Sequence, residues 1–327
     1  TRSSPTGGSR LPSWNASRTE NVDARDMTDQ PAIRTDGLSK FYGEVHAVED
    51  LDLEVRVGEV FGFLGPNGAG KTTTIRALLH YLRPTSGRAE VLGLDAARDS
   101  VRIRTLIGYM PAEYEMYDRL TGAEMLRYYA NLRGGVDEDH VARLAQRLNA
   151  DLSKKMRDYS TGNKQKIGLI QAFMHRPQLL ILDEPSSGLD PLMQHELQAM
   201  IDEVRGDGRT VFLSSHTLSE VEAVADRVGI LREGRLIEVE SVHSLRSKAI
   251  RRIDLEFRER VDAAVFTALP RVRSATGTGN LISVSFDGEI AELLRVALDH
   301  DVVNLNSREA DLEEIFLAYY RRDGSAA

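Results

Sequence analysis

Nine consecutive residues combine glycines, a lysine and hydroxyl side chains in the order that a phosphate-binding loop requires. They are Gly65, Pro66, Asn67, Gly68, Ala69, Gly70, Lys71, Thr72 and Thr73. An apolar run over 60–64 precedes them and a helix-compatible run follows, which predicts a loop between a buried strand and a helix N-terminus. Backbone N–H groups would surround a phosphate there, Lys71 would reach the β- and γ-phosphates, and the Thr72 hydroxyl would bind Mg²⁺. The pattern and its context together predict a nucleotide site.

A pair of acids follows a second apolar run. Residues 179–182 are all aliphatic, and Asp183 and Glu184 come directly after them. A buried central strand has this composition, and the carboxyl ends of parallel strands are where ligands bind in open α/β sheets. We therefore expect Asp183 to hold Mg²⁺, directly or through water, and Glu184 to accept a proton from an attacking water.

Two further side chains could complete the site, although each taken alone has a simpler explanation. His216 follows an apolar run over 210–215, and a histidine at a strand end is usually only a polar terminus. If that strand neighbours the one before Glu184, His216 would reach Glu184 and the γ-phosphate. Tyr42 precedes Lys71 by about 29 positions and could stack on a purine, but a partly buried tyrosine in a turn has the same appearance in sequence.

Composition limits the classes of protein to which the chain could belong. It has 327 residues, 41% of them hydrophobic, so it can bury a large core and hold two domains. A net charge of −8 argues against adsorption to nucleic acid. There is no cysteine and no apolar run long enough to span a bilayer. We expect a cytoplasmic protein without a membrane span, whose membrane role would come through a partner.

Patterning predicts an α/β fold with three regions. Residues 1–28 are polar and are expected to be disordered. Strand patterns and the phosphate loop occupy the next region: the alternation over 48–55 and the run over 105–110 predict strands, and Phe41 to Gly43 predict a turn. The same region contains a helical stretch at about 115–175, in which Met125, Tyr128 and Tyr129 recur at helical spacing and are expected in the core. From 251 onward the apolar pattern predicts the order βαββαβ, a ferredoxin-like α+β unit, and then a last helix with its apolar stripe at Leu312, Ile315, Phe316 and Tyr319.

Over residues 32–240 the chain resembles the ATP-binding subunit of an ABC transporter. Besides the phosphate loop and the acid pair, residues 159–166 look like the signature motif of that family, 187–190 match its D-loop, His216 its switch histidine and Tyr42 its adenine-stacking aromatic. The resemblance implies a P-loop NTPase fold of the ABC type over 29–245. It also implies a head-to-tail homodimer, or a pseudo-dimer of ATPase domains, in which Ser160 and Gly162 of one subunit face the ATP that the other subunit's phosphate loop holds.

A small α+β unit after the ATPase, here 246–327, is similar to that of ABC-2 type exporters, including the drug- and antibiotic-resistance group. This resemblance implies an ATPase that powers efflux through separate permease subunits and lies at the inner face of the membrane. Two alternatives stay open: an importer ATPase with a regulatory tail, and a soluble ABC ATPase that is not coupled to transport. The second usually has coiled-coil or zinc insertions, or two ATPase units in one chain, and this sequence has none of these.

The chain departs from the family pattern in two segments. The signature usually has two adjacent glycines and then a glutamine, and this chain has Thr161, Gly162 and Asn163 there. Ala112 stands where the family usually has a glutamine that contacts Mg²⁺, and alanine cannot bind a metal. Either Glu113 or water would supply the missing oxygen; we expect water, because adjacent residues of an extended loop point to opposite sides.

Overall fold

Three β-sheets organise the part of the chain that the computed structural model describes, residues 30–113, 117–248, 251–286 and 290–308. The strands are β1 (Ile33–Tyr42), β2 (Val45–Val55), β3 (Val60–Leu64), β4 (Ser86–Val91), β5 (Leu94–Asp95), β6 (Ile107–Met110), β7 (Leu179–Asp183), β8 (Thr210–Ser215), β9 (Arg227–Arg232), β10 (Arg235–Ser241), β11 (Arg251–Phe257), β12 (Val272–Thr278), β13 (Leu281–Phe286) and β14 (Val302–Arg308). The helices are α1 (Lys71–Leu78), α2 (Ser100–Leu106), α3 (Gly122–Leu132), α4 (Glu138–Arg147), α5 (Thr161–Phe173), α6 (Pro191–Gly206), α7 (Leu218–Val224), α8 (Val242–Lys248), α9 (Ala264–Thr267) and α10 (Ala291–Asp299).

The six-stranded sheet has the order β10-β9-β3-β8-β7-β6, and all neighbours except β10 and β9 run parallel. Every residue of β3, β7 and β8 is buried, as expected for strands covered on both faces. Because these strands are parallel, their carboxyl ends meet at one edge of the sheet. The phosphate loop, the acid pair and His216 follow these three strands and therefore meet at that edge.

An antiparallel sheet of order β2-β1-β4-β5 packs its apolar face against the parallel sheet. Leu38, Leu51 and Val91 are buried in one cluster with Phe61 and Phe63 of β3. The sequence predicted strands from the alternation over 48–55, and β2 confirms this. It predicted a turn that began at Phe41, which is wrong: β1 continues through Tyr42, because Phe41 pairs with His46 across the sheet.

The helical stretch at about 115–175 contains α3, α4 and α5, as predicted. Met125, Leu144 and Ile167 from these three helices join one buried cluster with the parallel sheet. Two details differ from the prediction. Tyr128 was expected in the core and is exposed, and the strand expected over 105–110 begins only at Ile107. The helix α2 extends to Leu106, because the buried Ile103 anchors its inner face.

The last four strands form a separate antiparallel sheet of order β12-β13-β11-β14. With α9 and α10 this gives the predicted βαββαβ order, and the sheet order is the ferredoxin-like one. Its core is a distinct cluster that includes Ile253, Leu255, Phe266, Val284 and Leu293. The proposed boundary near 245 stays a prediction. The expected disorder of 1–28 and the expected helix over 312–319 lie outside the described residues.

Candidate active site

The phosphate loop connects β3 to α1, as the sequence predicted. Gly70 is the N-cap of α1 with φ 107°, and a Cβ there would lie 2.2 Å from the carbonyl oxygen of Ala47. Gly68 also has a positive φ, of 84°. Only glycine adopts these conformations without strain, so the tight curl of the loop depends on them. The loop leads into α1, an eight-residue helix whose first N–H groups have no partner within the helix and are available to an anion in the loop. The first turn of α1 contains no acidic residue.

The Lys71 side chain is buried and its ammonium lies inside the loop. Nζ is 2.6 Å from the carbonyl oxygen of Gly65 and 3.2 Å from that of Pro66. It is also 3.1 Å from Oε1 of Glu184. The positive charge therefore lies between the loop and the carboxylate, where an anionic group held by the loop N–H groups would contact it.

Asp183 is completely buried at the end of β7. Its Oδ1 accepts a hydrogen bond of 2.5 Å from the Ser214 hydroxyl, and no donor satisfies Oδ2. Burial raises the pKa of this carboxyl group above its usual value, although the hydroxyls of Ser214 and Thr72 act in the opposite direction. A buried, unsatisfied carboxylate oxygen near a threonine hydroxyl fits the oxygen-only ligand set of Mg²⁺.

Glu184 and His216 are brought together as predicted, because β7 and β8 are parallel neighbours. Nδ1 of His216 lies 2.7 Å from Oε2 of Glu184, and the Glu184 side chain is only 15% exposed. Since Oε1 faces Lys71, the carboxylate connects the lysine inside the loop to a half-exposed imidazole at the rim. Glu184 has a positive φ of 51°, which non-glycine residues seldom adopt.

The signature segment lies at the N-terminus of α5. Ser160 is the N-cap, and its hydroxyl accepts from the Asn163 N–H at 3.4 Å. Gly162 packs closely against the loop between β7 and α6: a Cβ at position 162 would lie 2.5 Å from the carbonyl oxygen of Gly188. The hydrogen bonds given for Ser160 are with the N–H groups of Asn163 and Lys164 in the first turn of its own helix.

Tyr42 is 52% exposed at the end of β1. The Lys40 ammonium lies 5.0 Å from the centroid of the Tyr42 ring and donates to the Arg83 carbonyl oxygen at 3.0 Å. An exposed ring with a cation near it is electronically suited to stacking.

A family model for ABC transporters matches residues 48–187. The bacitracin transport ATP-binding protein BcrA of Enterococcus faecalis is 32% identical over 297 residues, which cover 89% of this chain and 96% of that protein. The chain belongs to the ABC transporter ATP-binding proteins. A probable multidrug ABC transporter ATP-binding protein of Escherichia coli, YbhF, is 36% identical over 64% of this chain and 37% of its own length.

Solved structures agree with this assignment. One described as the ATP binding subunit of an ABC transporter has a TM-score of 0.61 and 32% identity, and covers 66% of this chain and 92% of that one. An ATP-binding cassette bound to ADP and Pi in a post-hydrolysis state has a TM-score of 0.59 at 19% identity over 64% of this chain and 98% of that one, and so supports the fold. The chain is an ABC ATPase that binds and hydrolyses ATP to power transport.

Two polar residues of this ABC ATPase site were not assigned a role from the sequence. Ser214 hydrogen-bonds both acids, accepting from the Glu184 N–H at 3.1 Å and donating to Asp183. Gln165 is 4% exposed on α5 and donates to the carbonyl oxygens of Glu184 and Pro185. The available signal was a glutamine at a buried position of a largely apolar helix face, which requires a hydrogen-bond partner.

The segment that lacks the family's glutamine follows β6. Ala112 is half-buried and Glu113 is exposed. Which group replaces the glutamine oxygen stays a prediction.

Proposed function

We propose that this chain is the ATPase subunit of an ABC-2 type exporter and that Lys71, Glu184 and His216 carry out hydrolysis. The observation that carries the catalytic assignment is the connected arrangement of these three side chains at 3.1 Å and 2.7 Å. The export assignment depends on the named relatives, since a relative that covers 89% of the chain is a bacitracin transport protein. The importer ATPase remains the competing hypothesis, whereas membership of the ABC transporter family argues against the uncoupled ATPase.

Each of the three side chains has a distinct task. The Lys71 ammonium stabilises the charge on the phosphoryl oxygens as the bond to the leaving group breaks. The Glu184 carboxylate orients the attacking water and accepts its proton. The Nδ1 hydrogen of His216 is directed at Oε2 of Glu184, which fixes the direction of the carboxylate at the sheet edge where the γ-phosphate would lie.

Asp183 and Thr72 are the residues that would hold Mg²⁺. The unsatisfied Oδ2 of Asp183 is the protein oxygen available to it, directly or through water. Among the described residues no group of three or more histidine or acidic side chains could hold a metal, so the remaining ligands would be phosphate and water oxygens. When bound, the ion neutralises charge on the β- and γ-phosphates.

The second half of each site is contributed by another subunit. Ser160 and Gly162 begin α5, a 13-residue helix, and the positive end of this helix would face the γ-phosphate held by the partner's loop. Thr161 adds a side chain at this end. ATP would thus close a head-to-tail homodimer, and hydrolysis would reopen it.

A groove beside the Ala112 segment is the surface we assign to the permease. It encloses about 190 Å³ and is lined by three tyrosines and two arginines, Tyr81, Tyr109, Tyr129, Arg104 and Arg133, with Pro111 at its edge. Tyrosine and arginine are the residue types enriched where proteins bind one another. A segment of the permease bound here would sense movement of the loop after β6. None of the described helices is long and apolar enough to cross a membrane, so the proposed location at the inner face depends on this contact.

The test first asks whether a neighbouring gene encodes a membrane protein, and then co-expresses that protein with this chain and purifies both in lipid nanodiscs. We expect the two proteins to co-purify and the ATPase rate to rise in the complex. Tyr81→Glu, which adds charge at an exposed groove position, should abolish co-purification, whereas Val57→Glu at an exposed position in a distant turn should not. Transport into inside-out vesicles would support export. Uptake in the opposite direction would favour the importer, and the absence of any membrane partner would contradict the proposed exporter.

A further inference from the structure

Glu184 has a strained backbone. Its φ of 51° is in the left-handed region, which a residue with a side chain seldom adopts. Such a conformation persists only where the surroundings determine it. The direction of the carboxylate toward Lys71 and His216 depends on this backbone, so the groups that hold it decide where the carboxylate lies.

Two side chains hold the Glu184 peptide units from opposite sides. Ser214 of β8 accepts the N–H of Glu184 at 3.1 Å. Gln165 of α5 donates from Nε2 to the carbonyl oxygens of Glu184 at 3.1 Å and Pro185 at 3.3 Å. The peptide N–H is thus fixed by the sheet and the carbonyl by the signature helix.

The helix that carries Gln165 contacts the same loop a second time. Gly162, one turn earlier on α5, packs against the carbonyl oxygen of Gly188 without room for a Cβ. Gln165 is itself 4% exposed, so its carboxamide has little freedom to follow a different geometry. Any displacement of α5 relative to β7 must therefore stretch the hydrogen bonds to Glu184 and Pro185 or move those peptides with it.

We propose that Gln165 is a positioning residue for hydrolysis. By holding the backbone carbonyl groups of Glu184 and Pro185, it fixes the direction of the Glu184 carboxylate and couples that direction to the position of the signature helix. This inference depends on the proposed role of Glu184 as the proton acceptor. The amide suits the task because both of its N–H groups can be used, one on each carbonyl oxygen. A carboxylate at position 165 would face two carbonyl oxygens and could donate a hydrogen bond to neither.

The test compares Gln165→Met and Gln165→Glu with wild type in the full-length chain. Methionine keeps the length and removes the donors, whereas glutamate keeps the shape and places acceptors against acceptors. We expect kcat to fall roughly 10- to 100-fold, because a misplaced catalytic group loses about that much per ångström. The KM for ATP and the Kd of a fluorescent ATP analogue should stay within about twofold, since Lys71 and the phosphate loop are unchanged. Gln194→Met is the matched control: Gln194 donates to the Leu189 carbonyl oxygen in the same loop, and its loss should leave kcat unchanged.

A double-mutant cycle separates positioning from general destabilisation. In the Glu184→Gln background, measured by single-turnover hydrolysis, Gln165→Met should cause no further loss, because Gln165 acts through Glu184. Unchanged kcat in both Gln165 variants, or a full additional loss in the Glu184→Gln background, would overturn the proposal. Failure of the proposed function is distinguishable, since it would appear as near-normal hydrolysis by Glu184→Gln itself.

Discussion

The imidazole of His216 and the carboxylate of Glu184 are 2.7 Å apart, although 32 positions separate the two residues in the chain. Parallel pairing of β7 with β8 creates this contact, since the residue after each strand emerges at the same edge of the sheet. Oε1 of the same carboxylate is 3.1 Å from Lys71, so each oxygen of Glu184 has its own nitrogen neighbour. Loss of the carboxylate charge and loss of the lysine should therefore have different effects.

Glu184→Gln should abolish steady-state hydrolysis and preserve ATP binding, because an amide cannot accept the proton of the attacking water while the phosphate loop is intact. The ATP-bound homodimer should then accumulate. Lys71→Ala should instead lose ATP binding, since the loop loses its buried positive charge. Nucleotide binding by fluorescence and dimer content by light scattering distinguish the two variants. Near-normal steady-state hydrolysis by purified Glu184→Gln would contradict the assigned role.

Tyr42→Ala should weaken ATP binding by roughly 5- to 150-fold, the range that loss of about 1–3 kcal/mol of base stacking gives. Tyr42→Phe should bind ATP nearly as well as wild type, because the stacking face is retained. The affinity of Tyr42→Ala for GTP should fall to a similar extent, since stacking distinguishes poorly between bases. Titration of fluorescent nucleotide analogues measures these effects. Tyr81→Ala, which removes another exposed tyrosine, is the control and should leave ATP affinity unchanged.

The parallel sheet could be predicted because its strands are uninterrupted apolar runs that end in polar residues, as in 179–182 before Asp183. The Glu184–His216 contact followed once those strands were assumed to be neighbours. The roles of Gln165 and Ser214 could not be predicted, because both residues bond to backbone atoms of a distant segment, and sequence spacing contains no information on such contacts. The exposure of Tyr128 was missed because helical periodicity does not show which side of a tyrosine stripe meets the core.

Ala112→Gln should increase the apparent affinity for Mg²⁺ in the ATPase reaction, because the amide restores the neutral oxygen that alanine lacks. Glu113→Ala should change the Mg²⁺ requirement little, since Glu113 is exposed and we expect water to supply the missing oxygen. Titration of Mg²⁺ against ATPase rate, at saturating ATP, measures both. A large increase in the Mg²⁺ requirement of Glu113→Ala would show that the neighbouring carboxylate has taken the role.

His175, just after α5, should make the protein less stable in mild acid. Its Nε2 lies 3.0 Å from the Ile107 carbonyl oxygen, while its buried Nδ1 has no hydrogen-bond partner. Burial, together with the nearby Arg133 guanidinium, lowers the pKa of His175 from 6.5 to about 4. Between about pH 4 and pH 6.5, the unfolded chain therefore binds a proton at His175 and the folded chain does not.

The free energy of unfolding should accordingly be at its full value above about pH 6.5 and fall by up to about 1.4 kcal/mol per pH unit toward pH 4 from this residue alone. His175→Gln removes the titration and retains a donor for the Ile107 carbonyl oxygen. We expect the variant to show a shallower loss of stability between about pH 6.5 and pH 5, measured by urea unfolding at a series of pH values. Parallel stability curves for the variant and the wild type over this range would mean that His175 is not buried in its neutral form.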